Sequence, residues 1–491
     1  MITKKSTLSV KCKFLSGELF RWSIFIAEKE YVCYICTNKY NIKRMRTRVV
    51  YFAMMVAAAT SAVAQNGKTW TLDECIDYAL EKNIQLQQDK ISLEGSTVDV
   101  KTARAALFPS LSFSSGHNVT NRPYQENSNT VSGTEIITSN SKTTYNGSYG
   151  LNAQWTLWNG TRRLNTIKQR KTGEQIAGLT VAETENTLQE QIAQIFIQIL
   201  YADESVKINE NTLQVSQATY ERGVELLAEG SISKADLAQL ESQVSSDKYQ
   251  LVTAESTLRD YKLQLKQLLE LDGEEEMELV LPELADEHVL QPLPSQSDVY
   301  QQALASRPEI QSSKLSIENS KLDIAVAKSG YMPTISLNAS TSSMTNSASD
   351  NSWGKQMKYG WNNMIGLSVS IPIFDNRQTK SAVQKARLQY DSSQLDLINK
   401  QKELYRNIET MWLDATNAQQ QYVAAESNLK SCRTSFEMVS EQFRLGMKNT
   451  VELLTEKNNL LNAQQQRIQA KYMAILDRTL LNFYAGQKIK L

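Results

Sequence analysis

The sequence lacks the residues that charge-driven or catalytic sites are usually built from. Lys plus Arg and Asp plus Glu both total 53 among 491 residues, so the formal net charge is +0. Nucleic-acid binders carry a basic surplus that neutralises phosphates, and we therefore expect no nucleic-acid partner. The only histidines are His117 and His288, far apart in the chain, which argues against a histidine-based metal site.

Motifs that carry chemistry are also missing. We find no glycine-rich phosphate loop, and the segment 366–370 does not match the nucleophile-elbow pattern, because its last residue is Ser370 rather than glycine. A glycosidase-type carboxylate pair remains open, but long polar helices offer a poor concave site for one. We expect no enzyme activity, no catalytic residue, no metal and no cofactor.

Long apolar runs are scarce, and the longest lies near the start of the chain. A basic stretch at 43–48 precedes an apolar run at 49–59, and Ala62-Val63-Ala64 then offers small residues for cleavage before Gln65. The run is shorter than the ~20 residues that a membrane-spanning helix needs. We therefore interpret 45–64 as a secretory signal peptide and 1–44 as an N-terminal extension assigned in error, with translation starting at Met45.

Cysteine is scarce in the remaining chain. Three of the five cysteines fall in the extension, which leaves Cys75 and Cys432. An exported protein with so few cysteines does not depend on a disulfide framework. The residue directly after Ala64 is Gln65 rather than cysteine, so a lipid anchor at the mature N-terminus is not supported.

Proline is absent from 124–281 and from 373–491, and strong helix formers fill both stretches. The pattern predicts helices over 378–445 and 451–485 with a turn at Gly446, and over 162–228 and 235–271 with a turn at 230–233. A helix over 378–445 would be ~100 Å long. Apolar stripes with helical spacing predict packing between these helices; they comprise Leu188, Ile192, Ile195, Ile199, Leu258, Tyr261, Leu265 and Leu268.

The chain is internally duplicated. Ala79 and Ala303 begin equivalent segments 224 positions apart, and Gly230 and Gly446 mark turns 216 positions apart. Such constant offsets favour a repeat over chance similarity. We assign 65–271 to a first repeat, 295–491 to a second, and 272–294, which contains three prolines, to the segment that joins them.

Each repeat contains a predicted strand pair, at 111–157 and at 335–373. Apolar and polar residues alternate at 149–157 and at 365–371, which gives each strand one apolar face. The first strand of each pair is predicted to be shorter, and the loops at 119–144 and 341–361 are predicted to be irregular and exposed. The helices carry only narrow apolar stripes, so lipid is the better cover for these faces. Four strands cannot close a barrel, and we therefore expect homo-oligomerisation.

Several motifs recur at equivalent places in both repeats and resemble the TolC family of outer membrane efflux proteins, from about Thr71 to the C-terminus. The repeats start with Ala79-Leu80-x-x-Asn83 and Ala303-Leu304-x-x-Arg307-Pro308-Glu309-Ile310, and the strands are preceded by Ala105-x-Leu107-Phe108-Pro109-Ser110-Leu111 and Lys328-x-x-Tyr331-Met332-Pro333-Thr334-Ile335. The strands are followed by Leu157-Trp158-Asn159-Gly160 and Ile371-Pro372-Ile373-Phe374-Asp375. The distal turn is marked by Phe443-Arg444-Leu445-Gly446-x-x-x-Thr450-Val451-Glu452-Leu453-Leu454.

The resemblance implies an α+β outer membrane protein that acts as a homotrimer. Each protomer would contribute four transmembrane strands to a twelve-stranded barrel, and the helical hairpins would form a tunnel through the periplasm. Substrates would pass passively after an inner membrane pump and a periplasmic adaptor deliver them, in drug efflux or in type I secretion. The adaptor would meet the hairpin tips, at Gly230, Ser231, Ile232, Ser233, Leu445, Gly446 and Met447.

The resemblance also implies a gate at the periplasmic end. Acidic residues follow the second hairpin turn in the family, and Glu452 holds the first such position here, whereas Thr455 departs from the second. Glu456 is a further acidic neighbour, Lys448 is a candidate for a bond across helices, and Asp236 is the counterpart of Glu452 in the first repeat. Each could equally be a solvated charge near a helix end.

Two other classes of protein remain as alternatives. A periplasmic adaptor also uses long helical hairpins, but it predicts one hairpin flanked by soluble β domains. A structural coiled-coil protein would keep the helical repeats without the strand pairs. The strand pairs at 111–157 and 335–373 discriminate against both.

Overall fold

The computed structural model describes residues 69–124, 128–132, 135–139, 142–271, 277–282 and 286–490. The predicted extension 1–44 and signal peptide 45–64 lie outside these residues, as do the acidic run 274–276 and parts of the predicted first loop. Within the described ranges, no helix is both long enough and apolar enough to cross a bilayer.

Each repeat contains two shorter helices followed by a long helical hairpin. In the first repeat these are α1 (Leu72–Lys82), α2 (Ile84–Ala105), α3 (Arg162–Ala228) and α4 (Lys234–Leu268). In the second they are α5 (Gln296–Ser306), α6 (Pro308–Lys328), α8 (Gln378–Arg444) and α9 (Thr450–Tyr484), and a short α7 (Trp353–Tyr359) lies between the strands. The bounds of α3, α4, α8 and α9 lie close to those predicted. Both α3 and α8 have 67 residues, which corresponds to ~100 Å.

The two shorter helices of each repeat are separated by a single extended residue. Asn83 (φ −57°, ψ 128°) separates α1 from α2, and its side chain caps the amide of Leu86. Arg307 (φ −66°, ψ 128°) separates α5 from α6, where Pro308 takes the first helical position that suits its fixed φ. The break therefore recurs at equivalent positions of the two repeats.

Four antiparallel strands form one sheet in the order β2-β5-β7-β8. They are β2 (Ser110–Asn121), β5 (Thr143–Trp158), β7 (Thr334–Asn346) and β8 (Asn362–Ser370). Leu151 of β5 is the register partner of Phe113 on β2, and Leu337 of β7 is the partner of Leu367 on β8. The apolar side chains of all four strands therefore share one face, as the alternation predicts.

The predicted strand lengths are wrong in part. In the first pair β2 has 12 residues and is shorter than the 16-residue β5, as predicted, but in the second pair β7 has 13 residues and is longer than the 9-residue β8. Strand pairing uses backbone groups, so polar residues outside the alternating apolar run still extend a ladder once a neighbouring strand is present.

The predicted loops are also more regular than expected. The segment 119–144 contains a hairpin of β3 (Ser128–Ser132) and β4 (Glu135–Ser139). The segment 341–361 contains the end of β7 and all of α7. The predicted exposure is wrong for only part of the second loop, where Ser343, Thr345 and Asn346 are each only 5% exposed.

The segment that joins the repeats folds against the helices. Its strand β6 (Glu278–Leu279) pairs in parallel with β1 (Thr69–Trp70). A single 3₁₀ turn follows at Asp286–His288, and Val289 beyond it is buried. The side-chain amide of Gln419 on α8 donates to the carbonyls of Val289 (2.8 Å) and Gln291 (2.9 Å), which ties the segment to the second hairpin.

The largest buried cluster lies where α1, α3, α4 and α9 meet. The predicted stripes belong to it: Leu188, Ile192, Ile199 and Leu265 are buried members, and Ile195, Leu258, Tyr261 and Leu268 pack against them. A second cluster joins α5, α8 and α9 around Val299, Ile408 and Leu481. The first of these clusters joins the two hairpins, and the second joins the long hairpin of the second repeat to its shorter helices.

Candidate functional site

The two hairpin turns are built in the same way. Gly230 (φ +76°) lies two residues after the end of α3, and Gly446 (φ +72°) lies two residues after the end of α8, both in the left-handed region that glycine adopts without a steric cost. Ser231 donates its amide to the carbonyl of Leu226 (2.8 Å), and Met447 donates to that of Gln442 (2.9 Å). These are Schellman motifs, which satisfy carbonyls at a helix C-terminus.

A capping box starts the return helix in both hairpins. The Ser233 hydroxyl accepts from the Asp236 amide (3.1 Å), and the Asp236 carboxylate accepts from the Ser233 amide (3.0 Å). In the second hairpin, Asn449 and Glu452 exchange the same pair of bonds at 2.9 and 3.2 Å. Both candidate gate acids therefore also begin a helix.

The bonds that Glu452 accepts keep it ionised. The Lys448 ammonium lies 2.6 Å from the Glu452 carboxylate, one helical turn before it in the chain. This bond and the Asn449 amide lower the pKa of Glu452, and the bonds from Ser233 lower the pKa of Asp236. Within this single chain, Lys448 thus bonds within its own turn.

The remaining candidate gate residues do not join this arrangement. The Thr455 hydroxyl donates to the carbonyl of Val451 on its own helix (2.7 Å). The Glu456 carboxylate accepts a long bond from the Asn459 amide (3.4 Å). Both side chains lie on α9 beyond Glu452, and their contacts are those of ordinary helix surface positions.

An apolar cluster holds the two hairpin tips together. Leu226 from the first hairpin is buried with Phe443 and Leu453 from the second, and Ile232, Phe436 and Val439 pack against them. Leu445 and Met447 point away from this cluster and remain 63% and 71% exposed. The tip therefore presents apolar side chains to solvent even though its interior is packed.

A buried ionic group lies behind the tip and was not predicted. Lys457 of α9 bonds to the carboxylate of Asp247 on α4 and to the hydroxyl of Ser216 on α3. The side chains of Lys457 and Asp247 are 6% and 1% exposed. Burial lowers the pKa of Lys457, although Asp247 opposes this shift. One signal in the sequence could have indicated this buried charge. Asp247 lies seven residues after buried Leu240, at a position where packing between helices favours an apolar residue.

A second ion pair, between buried Arg307 and partly buried Glu190, joins the start of α6 to α3. The Arg307 guanidinium lies 2.8 Å from the Glu190 carboxylate and 3.5 Å from the centre of the Tyr484 ring. Burial raises the pKa of Glu190, and Arg307 counteracts it. The Arg307-Pro308 motif indicates this position in the sequence, but its partners come from distant helices.

A polar groove of about 660 Å³ lies between α3, α4 and α9. Hydroxyls and amides line it, including those of Ser205, Asn209, Gln243 and Asn458. Such groups can bind water and polar solutes, but they lack a base and a nucleophile in mutual contact. Among the described residues, no cluster of His, Cys, Asp and Glu is suited to hold a metal ion.

The comparison with protein families decides the classification. A family model described as "Outer membrane efflux protein" matches residues 75–270 and 299–487. This chain belongs to the outer membrane efflux protein family. The two matched stretches correspond to the two repeats, and the gap between them contains the joining segment 272–294.

Curated relatives of this outer membrane efflux protein are similar over most of their length. The outer membrane efflux protein BepC of Brucella suis is 22% identical over 432 residues, which cover 88% of each chain. The outer membrane protein TolC of Escherichia coli is 19% identical over 431 residues, which cover 87% of this chain and 84% of the relative. The proteases secretion protein PrtF of Dickeya chrysanthemi is 20% identical and covers 88% of this chain and 92% of its own.

Solved structures confirm the fold. A structure of CusC aligns with a TM-score of 0.73 at 17% identity, covering 87% of this chain and 96% of that one. The outer membrane protein VceC of Vibrio cholerae aligns with a TM-score of 0.71 at 14% identity, covering 85% and 97%. The strand pairs and helical hairpins of this outer membrane efflux protein thus have the arrangement found in TolC-like channels.

Proposed function

We propose that the protein is the outer membrane exit duct of a tripartite efflux or type I secretion system. It would work as a homotrimer, with a twelve-stranded barrel in the outer membrane and a helical tunnel in the periplasm. Substrates would pass through it passively. Relatives named for efflux and relatives named for protease secretion both match the chain, so both transport classes belong to the proposal.

The exposed apolar face of the four-stranded sheet carries the proposal. Phe113 of β2 is 69% exposed, and Ile365 and Leu367 of β8 are 80% and 63% exposed. Exposing these apolar side chains to water costs about 25 cal/mol per Å² of apolar surface, whereas contact with lipid removes this cost. The opposite face carries Ser112, Asn152 and Ser368, which suits a water-filled lumen.

The sheet edges support the oligomeric part of the proposal. Within the part of the chain that the structure describes, β2 and β8 pair on one side only. A lipid-exposed edge leaves backbone groups unpaired at several kcal/mol each. Pairing β8 of one protomer with β2 of the next would remove both edges, and three copies would supply twelve strands.

The hairpin tips support a role in docking and gating. Exposed Leu445 and Met447, together with the turn around Gly230, would form the surface for a periplasmic adaptor linked to an inner membrane pump. Glu452 is 42% exposed at its side chain and stays ionised. In a trimer, three Glu452 carboxylates around the tunnel axis would favour the passage of cations. The positive charge of Lys448 would reduce this preference.

The decisive experiment is to express the chain from Met45 in a Gram-negative host, separate the membranes and extract the protein in mild detergent. We expect it in the outer membrane fraction, with a mass by light scattering that corresponds to three protomers. A monomer in the periplasmic fraction would contradict the proposal and favour an adaptor or a structural coiled-coil protein.

A further inference from the structure

The short helix α7 packs on the sheet, at the end away from the long helices. The Ser343 hydroxyl donates to the carbonyl of Met357 in α7 (2.9 Å), and the Gln356 side chain accepts from the amide of Asn346 (2.7 Å). The Tyr149 and Trp353 rings meet edge to face, with centroids 6.1 Å apart. These contacts fix α7 against β5 and β7.

The face that α7 covers is the one that carries the apolar side chains. Tyr149 and Ser343 are register partners, and Leu151, Ala153 and Trp155 follow Tyr149 on β5 at intervals of two, so all point to the same side. Beneath α7 this face becomes polar, since Ser343 and Thr345 are buried there. Helix α7 therefore lies beyond the apolar band, on the outside of the proposed barrel.

The free surface of α7 is aromatic and cationic. Trp353, Tyr359 and Trp361 are 53%, 61% and 59% exposed. Lys355 and Lys358 are also outside the core, and neither forms an ion pair with any residue that the structure describes. Asp350 precedes this stretch, and 351–361 itself contains these two lysines and no Asp or Glu, so it carries a net positive charge.

This combination suits a membrane interface. Trp and Tyr are enriched where a bilayer meets water, because their rings are apolar at one end and polar at the other. Lys side chains near an anionic lipid surface each contribute about 1 kcal/mol of attraction. Because α7 lies just beyond the apolar band along the strands, its aromatic side chains and its lysines would lie among lipid headgroups.

Building on the proposed function, we propose that α7 and Trp361 form an interfacial anchor that binds phosphate-bearing headgroups of the outer leaflet. Lys355 and Lys358 would bind the phosphates, and Trp353, Tyr359 and Trp361 would lie at the boundary between headgroups and acyl chains. The occupant is a phosphorylated glycolipid, because its phosphates match the lysines and its acyl chains continue along the apolar face.

The test is a binding titration on the purified full-chain oligomer in uncharged detergent. The probes are lipid A with both phosphates, lipid A from which the phosphates have been removed, and inorganic phosphate. The double variant Lys355→Gln/Lys358→Gln is compared with Lys402→Gln/Lys430→Gln, which removes two exposed lysines from α8. We expect the first pair to weaken lipid A binding roughly 30-fold, and each single variant about 5-fold, with no change for the control pair.

Dephosphorylated lipid A should bind the intact protein as weakly as lipid A binds the double variant. The anchor would be overturned if the intact protein bound both forms of lipid A with equal affinity, or if the control pair lost as much lipid A affinity as the first pair. It would also be overturned if inorganic phosphate bound as tightly as lipid A. Light scattering on each variant establishes that it is still assembled. If the protein is monomeric or absent from the outer membrane, the proposed function is contradicted rather than the anchor. That result is obtained before any lipid is added, so the two failures can be distinguished.

Discussion

Buried charges lie where helices of the two repeats meet. Lys457 and Asp247 join the second hairpin to the first, and Arg307 and Glu190 join the start of α6 to α3. An unpaired charge in a protein interior costs several kcal/mol, so each pair disfavours any packing that separates its members. We therefore interpret these residues as positioning groups that determine which helix faces meet.

Breaking the buried pair behind the tip should destabilise the protein strongly. Lys457→Ala would leave the Asp247 carboxylate buried without a cation, at a cost of about 3–5 kcal/mol per protomer. Lys400→Ala removes one partner of the Lys400–Glu403 pair, whose side chains are 50% exposed, and should cost less than about 1 kcal/mol.

Chemical denaturation of both variants measures the difference. The double variant Lys457→Met/Asp247→Leu should recover most of the lost stability, because two apolar side chains of similar size need no partner. A Lys457→Ala protein as stable as the Lys400→Ala protein would show that water reaches the Asp247 carboxylate.

Asp477 should make stability depend on pH. Burial, with a contribution from Asp414, raises the pKa of Asp477 from 3.8 to about 7, and its Oδ2 has no hydrogen-bond partner within the described part of the chain. At pH values between 3.8 and about 7, Asp477 therefore holds a proton in the native state that it has lost in the unfolded state. Stability from this group is therefore present at low pH and is lost as the pH rises through about 7.

Asp477→Asn should remove that dependence. At pH 8 the variant should gain stability, by as much as about 4 kcal/mol per protomer, whereas at pH 5 the gain should be less than half of that. Thermal denaturation at both pH values measures this, with the exposed Asp396→Asn on α8 as the control. No gain at pH 8 would mean that a neighbouring protomer pairs with the Asp477 carboxylate.

At the scale of elements, the two repeats share unusual backbone positions as well as helices. Thr161 (φ +66°) and Arg377 (φ +68°) precede α3 and α8 in the left-handed region, which is costly for residues with a Cβ. Their positions differ by the same 216 residues that separate Gly230 from Gly446. Both the entry to each long helix and its exit thus require a left-handed residue.

The turn glycines should tolerate substitution poorly. Gly446→Ala places a Cβ on a residue at φ +72° and should destabilise the protein by about 1–2 kcal/mol, even though open space surrounds the position. Gly173→Ala in α3 also enters open space, but at ordinary helical dihedrals, and should stabilise by up to about 1 kcal/mol.

The same methyl group is thus added in both variants, with opposite expected effects on stability, and denaturation midpoints compare them. A loss of stability at both glycines would indicate steric contact rather than backbone strain, and would most simply come from a neighbouring protomer.

At the scale of the whole molecule, the described part of the chain presents a sheet with one apolar and one polar face, whose edge strands β2 and β8 each pair on one side only. The exposed surfaces of the long helices are largely polar. Residues 65–491 contain 42 Lys and Arg against 50 Asp and Glu, a net charge of −8, which favours cations at long range. Glu452 at the tip is the candidate for a local contribution to ion selectivity in the proposed duct.

Glu452→Gln separates the charge of this residue from its capping role. Glutamine also serves in a capping box, so α9 should still begin at Thr450, while the negative charge is lost. In planar bilayers under a salt gradient, we expect the variant trimer to show a smaller preference for cations than the unmodified protein.

Asp236→Asn, which removes the equivalent charge from the first hairpin, is the matched variant for this measurement. An unchanged reversal potential in Glu452→Gln would exclude the gate role of Glu452. A larger effect in Asp236→Asn would move that role to the first hairpin.

Much of this architecture could be predicted from local signals in the sequence. The proline-free stretches and turn glycines predicted the long helices, the 216-residue offset predicted that the hairpins are equivalent, and the alternation at 149–157 predicted a two-faced strand. These features depend on backbone dihedrals and on the periodicity of neighbouring side chains, both of which are properties of short segments.

Only the tertiary structure decided which distant groups meet. The full length of β2 and β7 depends on pairing across the sheet, and α7 forms where Ser343 and Asn346 can bond to it. The Lys457–Asp247 pair joins positions 210 residues apart, and the sequence shows only an acidic residue at an apolar position. Such contacts depend on how two helix faces pack, and local propensities contain no information about that choice.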